Sequence, residues 1–310
     1  MLGISRESKR SRLQRTTVEG ELHVHAAHVP RWRLNRAQLL RLLAGIAAGI
    51  GLIVWGLLAE FPTGPQSGTT FSGNIKPRPF TGKSLRVGTF NIHGGFGLDQ
   101  KYDLARTTAA LQGLELIGLN EVQRRPFSKF NQAQLLAEQL HANWLFAPTE
   151  YCWRGEHFGS AVLSPLQVDA WQRMPLECPN THAGRNLVLL KIPLPKGNLN
   201  VIITHADRTR DRAHHLATIF SLFNSLEEPA LLMGDLNTQR ADPLITGYID
   251  SGAWTDCIGE KFPDDPFNRI DWILARGIKP IAAGLINNGA SDHPCGWAEL
   301  DLSPYSESAE

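Results

Sequence analysis

The stretch at residues 229–239 constrains the fold of this 310-residue chain more than any other. An apolar run over residues 230–233 predicts a buried strand, and Gly234 after it allows a turn or a close approach to a ligand. Asp235 and Asn237 follow at i and i+2, a spacing that places both side chains on one side of an extended chain. Open α/β sheets bind ligands at the carboxyl ends of their strands, so we expect a ligand-binding edge here, although a polar turn contains the same residue types.

Other predicted strands also end in, or contain, side chains suited to catalysis. These are Asn91, Glu121, His205, Asp271, Asp292 and His293. Each of them is a common surface residue when taken alone. Because so many separate strand ends carry the same chemistry, we expect them to converge on one site. Between these strands, residues 99–113, 132–140 and 209–226 have the apolar spacing of amphipathic helices.

Seven fragments in a fixed order connect the chain to a known family. They are TFNIHGG, LNEVQ, HFGSAVLS, ITHAD, LLMGDLNTQ, RIDWIL and SDHPC, and they span residues 85–302. This set resembles the endonuclease/exonuclease/phosphatase superfamily, which includes deoxyribonucleases and neutral sphingomyelinases. The resemblance implies an α/β (α+β) fold, a four-layered α/β sandwich of two packed mixed sheets flanked by helices. It also implies a metal-dependent phosphoesterase.

The resemblance implies a Mg²⁺ or Mn²⁺ site. Glu121 is the best candidate ligand, with Asn91 beside it and Asp292 completing the site. These side chains offer the oxygen atoms that hard divalent cations prefer, and Mg²⁺ needs only one or two carboxylates because it keeps several waters.

The resemblance also implies catalytic roles for residues around the metal. Asp235 would orient or deprotonate the attacking water, and Asn237 would hold a phosphate oxygen. His293 would form a dyad with Asp271, and His205 would be a second cationic donor to the phosphate. An Asp beside a His fixes the imidazole tautomer and stabilises its charged form.

Four further residues are candidates for substrate binding. His93 stands where some nuclease members carry an acid, and Arg185 begins a predicted strand. Trp153 and Arg154 lie in a predicted loop, where stacking and charge could contact a substrate. Structural roles fit these residues equally well. Phosphodiester cleavage is favoured over monoester cleavage, in nucleic acid or a lipid headgroup, and the alternatives are an inactive binding domain on the same fold and a soluble nuclease.

Residues 42–59 form a charge-free apolar segment of 18 residues. As a helix it would be roughly 27 Å long, close to the hydrocarbon thickness of a bilayer. Four arginines lie in residues 31–41, whereas only Glu60 follows directly. The positive-inside rule therefore predicts a single-pass signal anchor with a cytoplasmic N-terminus and an extracytoplasmic catalytic domain. A cleaved signal peptide and a buried helix of a soluble protein are the alternatives.

These features predict five segments along the chain. They are a basic cytoplasmic tail (1–35), a transmembrane helix (36–60), a flexible linker (61–84), a catalytic domain (85–302) and a short tail (303–310). Residues 1–60 carry a net charge of +5 and the remainder −4, which disfavours a broad nucleic-acid-binding face. The four cysteines, Cys152, Cys178, Cys257 and Cys295, allow three disulfide pairings. No obligate protein partner is implied.

Overall fold

The computed structural model describes residues 34–58, 60–124, 128–152, 155–181, 184–263 and 268–307. The chain divides into two compact units, residues 1–51 and 52–310. Helix α1 (Arg36–Leu58) begins in the first unit. Its stretch Arg36–Gly56 is long and apolar enough to cross a membrane. Length and composition alone support this property, and the direction of crossing remains a prediction.

The second unit contains two mixed seven-stranded sheets. Its strands are β1 (Glu60–Pro62), β2 (Gln66–Gly68), β3 (Ser84–Asn91), β4 (Leu116–Gln123), β5 (Asn143–Cys152), β6 (Gly155–Ser164), β7 (Ala170–Leu176), β8 (Arg185–Pro193), β9 (Asn198–His205), β10 (Ala230–Asp235), β11 (Thr255–Asp256), β12 (Asp271–Arg276), β13 (Lys279–Ile286) and β14 (Cys295–Asp301). The first sheet has the order β1-β5-β6-β4-β3-β14-β13, and the second has the order β11-β12-β10-β9-β8-β7-β2. In the first, β3 and β4 are parallel, and in the second β9 and β10 are parallel.

The outer faces of the two sheets are covered by the helices α2 (Leu104–Leu111), α3 (Gln132–Leu140), α4 (Arg212–Ser225) and α5 (Pro243–Asp250). The short helix α6 (Cys257–Lys261) instead contributes Cys257 and Ile258 to the core between the sheets. Helices α2 and α3 share one outer core with the first sheet, and α4 and α5 share another with the second. Short 3-10 turns occur at His93–Gly95 and Ser303–Tyr305. The arrangement confirms the predicted sandwich of two packed mixed sheets flanked by helices.

The central strands are buried on both faces. In β10, Leu231 and Met233 enter the core between the sheets, whereas Ala230 and Leu232 enter the outer core beneath α4. Successive strand residues point to opposite faces, so a strand covered on both sides needs a continuous apolar run. This explains why β10 has no alternation of polar and apolar residues. Its polar residue, Asp235, stands at its carboxyl end.

Part of residues 61–84, predicted as a linker, belongs to the folded domain. Strand β1 pairs with β5 and β2 pairs with β7, each at a sheet edge. Phe80 is buried in the central core, and the Trp171 indole donates to the Thr70 carbonyl at 2.9 Å. An added Cβ at Gly68 would lie 2.7 Å from the Trp171 ring, so this glycine allows close packing. At β2, the Gly- and Ser-rich composition therefore belongs to a tightly packed edge strand.

The domain also extends slightly beyond its predicted C-terminal limit. The backbone of Ser84 pairs with Asp301, and the chain continues into the turn Ser303–Tyr305. The Tyr305 hydroxyl donates to the carbonyl of Gly277 at 2.9 Å. Residues 303–305 are thus part of the fold, although the sequence predicts a tail from residue 303.

Candidate active site

Strand ends from both sheets meet at Asp235. In the second sheet, Asp235 is in register with His205 on β9 and with Asp271 on β12. From the first sheet, the Asn91 amide Nδ2 lies 3.1 Å from Asp235 Oδ2 and 3.2 Å from Glu121 Oε1. One buried carboxamide therefore links carboxylates that belong to different sheets.

A turn before β14 brings Asp292 to the same place. The Ser291 hydroxyl donates to the Asn91 carbonyl at 2.7 Å and lies 3.1 Å from Asp292 Oδ1. On the other side, His93 donates its backbone N–H to Asn91 Oδ1 at 3.1 Å, and its Nδ1 lies 3.6 Å from Asp292 Oδ1. Asn91, Glu121 and Asp292, the three predicted metal ligands, are thereby brought into one neighbourhood.

His293 and Asp271 form a close pair. His293 Nδ1 lies 2.6 Å from Asp271 Oδ2, and Asp271 is almost completely buried. Burial alone would lower the pKa of His293, but the hydrogen bond and the charge of Asp271 outweigh it and raise the pKa to about 9. The imidazole is therefore protonated near neutral pH, and its Nε2 is the ring nitrogen that Asp271 leaves available.

Asp235 is an unusual carboxyl group. Burial, and secondly the negative charge of Asp271, raise the pKa of Asp235 to about 7, against the opposing effect of His293. A carboxyl group of this kind accepts a proton near neutral pH more readily than an exposed aspartate does. The sequence motif marks this residue, whereas the rise in its pKa follows from how the protein packs around it.

The environment of His205 disfavours the charged imidazole that the sequence predicts. His205 is buried, with Nε2 3.5 Å from Asp235 Oδ2. Burial, and then the positive charges of Arg185 and His293, lower the pKa of His205 well below its usual value. This shift favours the neutral imidazole, whereas the sequence predicts a second cationic donor to the phosphate. A neutral imidazole still offers one N–H as a hydrogen-bond donor.

Three site residues have a left-handed backbone conformation. The φ angles are +48° at His93, +57° at Glu121 and +50° at Asn237. Asn adopts this conformation readily, whereas a Glu rarely does, and such outliers cluster at functional sites. Glu121 also lies within a register shift of β4 against β6, between Leu119 and Val122. A β-bulge of this kind re-aims a side chain next to a site.

The backbone holds Asn237 beside Asp235. Its N–H donates to Asp235 Oδ1 at 2.8 Å, and its side-chain Nδ2 donates to the Ala206 carbonyl at 3.0 Å. Arg212 Nη1 donates to the Asn237 carbonyl at 3.0 Å. Since the carboxamide has a second N–H, it retains one donor for a substrate oxygen.

Asn120 is a site residue for which the sequence predicts no role. It is fully buried, and its Oδ1 accepts the backbone N–H of Asp235 at 2.9 Å. Its Nδ2 lies 3.0 Å from both Ser160 Oγ and the Thr204 carbonyl. The available signal was a carboxamide inside an apolar strand directly before Glu121, because a buried carboxamide must find hydrogen-bond partners.

The predicted substrate-binding residues fall into three groups. The His93 side chain is partly exposed beside Asp292. Arg185 begins β8, donates to the Gly184 carbonyl at 2.9 Å, and its charge acts on His205. Trp153 and Arg154 lie outside the described residues.

Two acidic groups could hold a cation, and they differ in charge balance. Ligand atoms of Asp235, Asp271 and His293 lie within 4.8 Å of one another. In that group, His293 already supplies a positive charge to Asp271. Glu121 and Asp292, by contrast, form no ion pair with a lysine or arginine among the described residues, and about half of the Asp292 side chain is exposed. Their carboxylates, like the carboxamide oxygen of Asn91, are oxygen donors of the kind that Mg²⁺ or Mn²⁺ prefers.

Comparisons with known proteins agree with this architecture. The model of the Endonuclease/Exonuclease/phosphatase family matches residues 88–293. An endonuclease/exonuclease/phosphatase from Beutenbergia cavernae is similar in structure, with a TM-score of 0.59 and 22% identity over 71% of this chain and 72% of that chain. Comparison with curated proteins gave no significant match.

Two further solved structures share the fold. Humanized D. rerio TDP2, which carries 14 mutations, has a TM-score of 0.51 and 16% identity over 71% of this chain and 99% of that chain. The mannosyl-6-phosphatase Bt3783 of Bacteroides thetaiotaomicron has a TM-score of 0.51 and 15% identity over 70% of this chain and 99% of that chain. At this identity the likeness is one of fold alone.

Proposed function

The chain belongs to the endonuclease/exonuclease/phosphatase family, whose members are hydrolases of phosphoester bonds, and from that premise we propose that it is a divalent-metal-dependent phosphodiesterase. The observation that carries the proposal is the position of Asn91. Its carboxamide lies within hydrogen-bond distance of both Glu121 and Asp235. The proposed cation-binding carboxylate therefore lies next to the proposed water-activating carboxylate.

The acidic group beside Asn91 suits a metal. Glu121, Asp292 and Asn91 Oδ1 would hold Mg²⁺ or Mn²⁺, which when bound polarises a phosphoryl oxygen and stabilises the leaving oxygen. The family is generally dependent on a divalent metal. The choice between the two ions is part of the proposal.

Asp235 is the proposed base. A water positioned by its carboxylate attacks the phosphorus, the water's proton moves to Asp235, and the bond to the leaving oxygen breaks. Burial favours this role because it raises the pKa of Asp235 towards neutral pH. Asn91 fixes the carboxylate in place through the contact at 3.1 Å.

Three side chains are proposed to bind the phosphate. The imidazolium of His293 is held through Nδ1 by Asp271, so Nε2–H donates to a phosphate oxygen. Asn237 contributes its remaining amide N–H, and His205 acts as a neutral donor. Preorganised donors of this kind stabilise charge that develops in a transition state.

The proposed substrate is a phosphodiester in nucleic acid or in a lipid headgroup. A phosphomonoester is a second candidate, because one protein of the same fold is named a mannosyl-6-phosphatase. We further propose that α1 anchors the protein as a single span, with residues 1–35 in the cytoplasm and the catalytic domain outside it.

Replacement of the proposed base tests the function. The full-length protein is assayed with Mg²⁺ or Mn²⁺ on DNA, RNA, sphingomyelin and inositol phosphates. For the cleaved substrate, we expect Asp235→Asn to lower kcat by about 10²–10⁴-fold, the usual contribution of general acid–base catalysis. We expect EDTA to abolish turnover and added Mg²⁺ or Mn²⁺ to restore it. Equal activity of the wild type and Asp235→Asn would refute the mechanism, and metal binding without turnover of any substrate would favour an inactive binding domain.

A further inference from the structure

We propose that a cationic cavity beside Asn237 binds a second phosphate group of the substrate. This inference rests on the proposed phosphodiesterase function and specifies its substrate class. The cavity has a volume of about 670 Å³ and is lined by Arg208, Arg212, Asn237, Gln239, Asp242 and Ile270, among others. A volume of this size accommodates a group larger than one phosphate.

The cavity adjoins the site through Asn237. The backbone N–H of Asn237 donates to Asp235 Oδ1 at 2.8 Å, while Asn237 itself lines the cavity. A substrate whose scissile phosphorus lies at Asp235 would therefore extend its next group past Asn237 and into the cavity. This proximity distinguishes the cavity from an ordinary depression on the surface.

The charge balance of the cavity is positive. Arg212 Nη2 lies 3.4 Å from Asp242 Oδ2, so these two charges compensate each other. The Asp242 oxygens also accept from Thr238 Oγ1 at 2.7 Å and from the Leu244 N–H at 3.0 Å, which directs them towards the protein. Arg208 is exposed and forms no ion pair within the described part of the chain. One uncompensated guanidinium therefore faces the cavity, and guanidinium matches the geometry of phosphate oxygens.

The loop that carries Arg208 is held at its base. Asp207 Oδ2 accepts the backbone N–H groups of Thr209 at 3.0 Å and of Asp211 at 3.1 Å. The buried imidazole of His215 accepts the Asp207 N–H at 3.0 Å through Nδ1. Because the backbone on both sides of Arg208 is fixed, less ordering entropy is lost when an anion binds.

These observations favour a substrate with two neighbouring phosphates. A zwitterionic lipid headgroup with a single phosphate would place no second anion near Arg208. A nucleic-acid strand, or a soluble ester with two phosphates, would place its second phosphate there. Because residues 61–310 carry a mildly acidic net charge, we expect a phosphate group to be attracted to this local cavity and not to the surface as a whole.

The test uses two chromogenic esters that differ by one phosphate. The full-length protein is assayed with Mg²⁺ on the p-nitrophenyl ester of thymidine 5′-phosphate and on the same ester carrying a 3′-phosphate. We expect the wild type to have the higher kcat/KM on the ester with two phosphates. We expect Arg208→Ala to reduce this preference about 10-fold or more, as loss of one charged hydrogen bond implies. Arg208→Lys should retain part of it.

Arg210→Ala is the matched control. Arg210 is exposed in the same loop but does not line the cavity, so its replacement removes the same charge from the same region. We expect this variant to keep the wild-type preference. An equal preference in the Arg208→Ala and Arg210→Ala variants would refute the cavity as a phosphate site.

The outcomes separate this inference from the proposed function. A wild type that cleaves both esters with the same kcat/KM overturns the second-phosphate site and leaves the phosphodiesterase standing. A wild type that cleaves neither ester, and none of the substrates of the wider assay, overturns both. Oligothymidylate and pyrophosphate are then compared as inhibitors of the wild type and of Arg208→Ala. If only oligothymidylate inhibits the wild type more strongly than Arg208→Ala, the second phosphate belongs to a nucleic-acid strand. If pyrophosphate does so as well, the cavity binds any neighbouring phosphate, and if neither inhibitor distinguishes the two proteins, the cavity is not a phosphate site.

Discussion

At the scale of single residues, Asn120 joins the two sheets beside the proposed base. Its replacement by Ala leaves the Asp235 N–H and the Thr204 carbonyl buried without their partner. We expect Asn120→Ala to lower the free energy of unfolding by roughly 2–4 kcal/mol, because each unsatisfied buried group costs about 1–3 kcal/mol. We also expect a lower kcat in the folded protein, since Asp235 loses its backbone support.

Asn186 offers a control for Asn120. It is also a buried carboxamide that links the sheets, and its Nδ2 donates to the carbonyls of Ala147 and Pro148. None of these contacts involves the proposed catalytic residues. Asn186→Ala should therefore lower Tm with little change in kcat at a temperature where it is folded. The same kcat for both variants would show that Asn120 is merely structural.

A second residue-scale prediction concerns acid stability. Burial alone would raise the pKa of Asp211, but hydrogen bonds from Thr181 and Asn180 outweigh it and lower the pKa below its ordinary value. A lowered carboxyl pKa gives stability that is complete above the unfolded-state pKa, about 3.9, and is lost as the pH falls through the folded-state value. We expect Asp211→Asn to have a lower Tm than the wild type at pH 7, with a difference that shrinks below about pH 4.

Melting curves from pH 7 to pH 2.5 check this expectation. Asp169→Asn is the control, because Asp169 is exposed and, among the described residues, lies within 3.5 Å of only one side-chain donor, Gln167. A Tm difference for Asp211→Asn that stays constant across this range would contradict the pH linkage.

The sequence marks candidate site residues, but it does not indicate how their environment shifts their pKa values. Asp235, Asn237 and His293 are predicted as site residues because strand ends and family fragments mark them. The lowered pKa of His205 depends on burial and on the positive charge of Arg185, which lies 20 positions away in the chain. Long-range contacts of this kind leave no local pattern in the sequence.

At the scale of secondary-structure elements, the carboxyl end of β10 depends on Gly234. Its φ is +140°, and an added Cβ would lie 1.9 Å from the Thr204 carbonyl oxygen on β9. We expect Gly234→Ala to separate the two parallel strands and to destabilise the fold by roughly 2–4 kcal/mol, with loss of activity. Denaturant unfolding and a turnover assay measure the two effects.

Gly197 is a control that separates the effect of backbone strain from the effect of the close approach of Gly234 to β9. It also has a positive φ, +87°, but a Cβ there would meet nothing within 4 Å. Gly197→Ala should cost only about 1 kcal/mol. If both variants lose the same stability, the approach of Gly234 to β9 is not the cause.

The element-scale prediction from sequence was accurate for central strands and failed at the edges. A continuous apolar run identifies β10 because both of its faces are covered. Strand β2 (Gln66–Gly68) is short and polar, and it is held by backbone pairing with β7 and by packing of Trp171. Backbone hydrogen bonds are independent of side-chain type, so composition alone indicated a linker.

At the scale of the whole molecule, the proposed membrane anchor, helix α1, can be tested by cell fractionation. We expect the full-length protein to sediment with membranes and to resist extraction by high salt. Removal of residues 1–59 should give a soluble protein that keeps β1 and β2 and retains its turnover. A soluble full-length protein, or a truncated one that still sediments with membranes, would contradict the anchor.

The proposed catalytic centre is divided between the two sheets. Asn91 and Glu121 belong to one sheet, and Asp235 and Asp271 to the other. A slide of one layer by a single residue, about 3.3 Å, would leave every strand intact yet separate the Asn91 amide from Asp235. Turnover should therefore depend on how the two sheets are aligned with each other. A mild perturbation of the interface between the sheets should abolish turnover while the circular dichroism spectrum stays native.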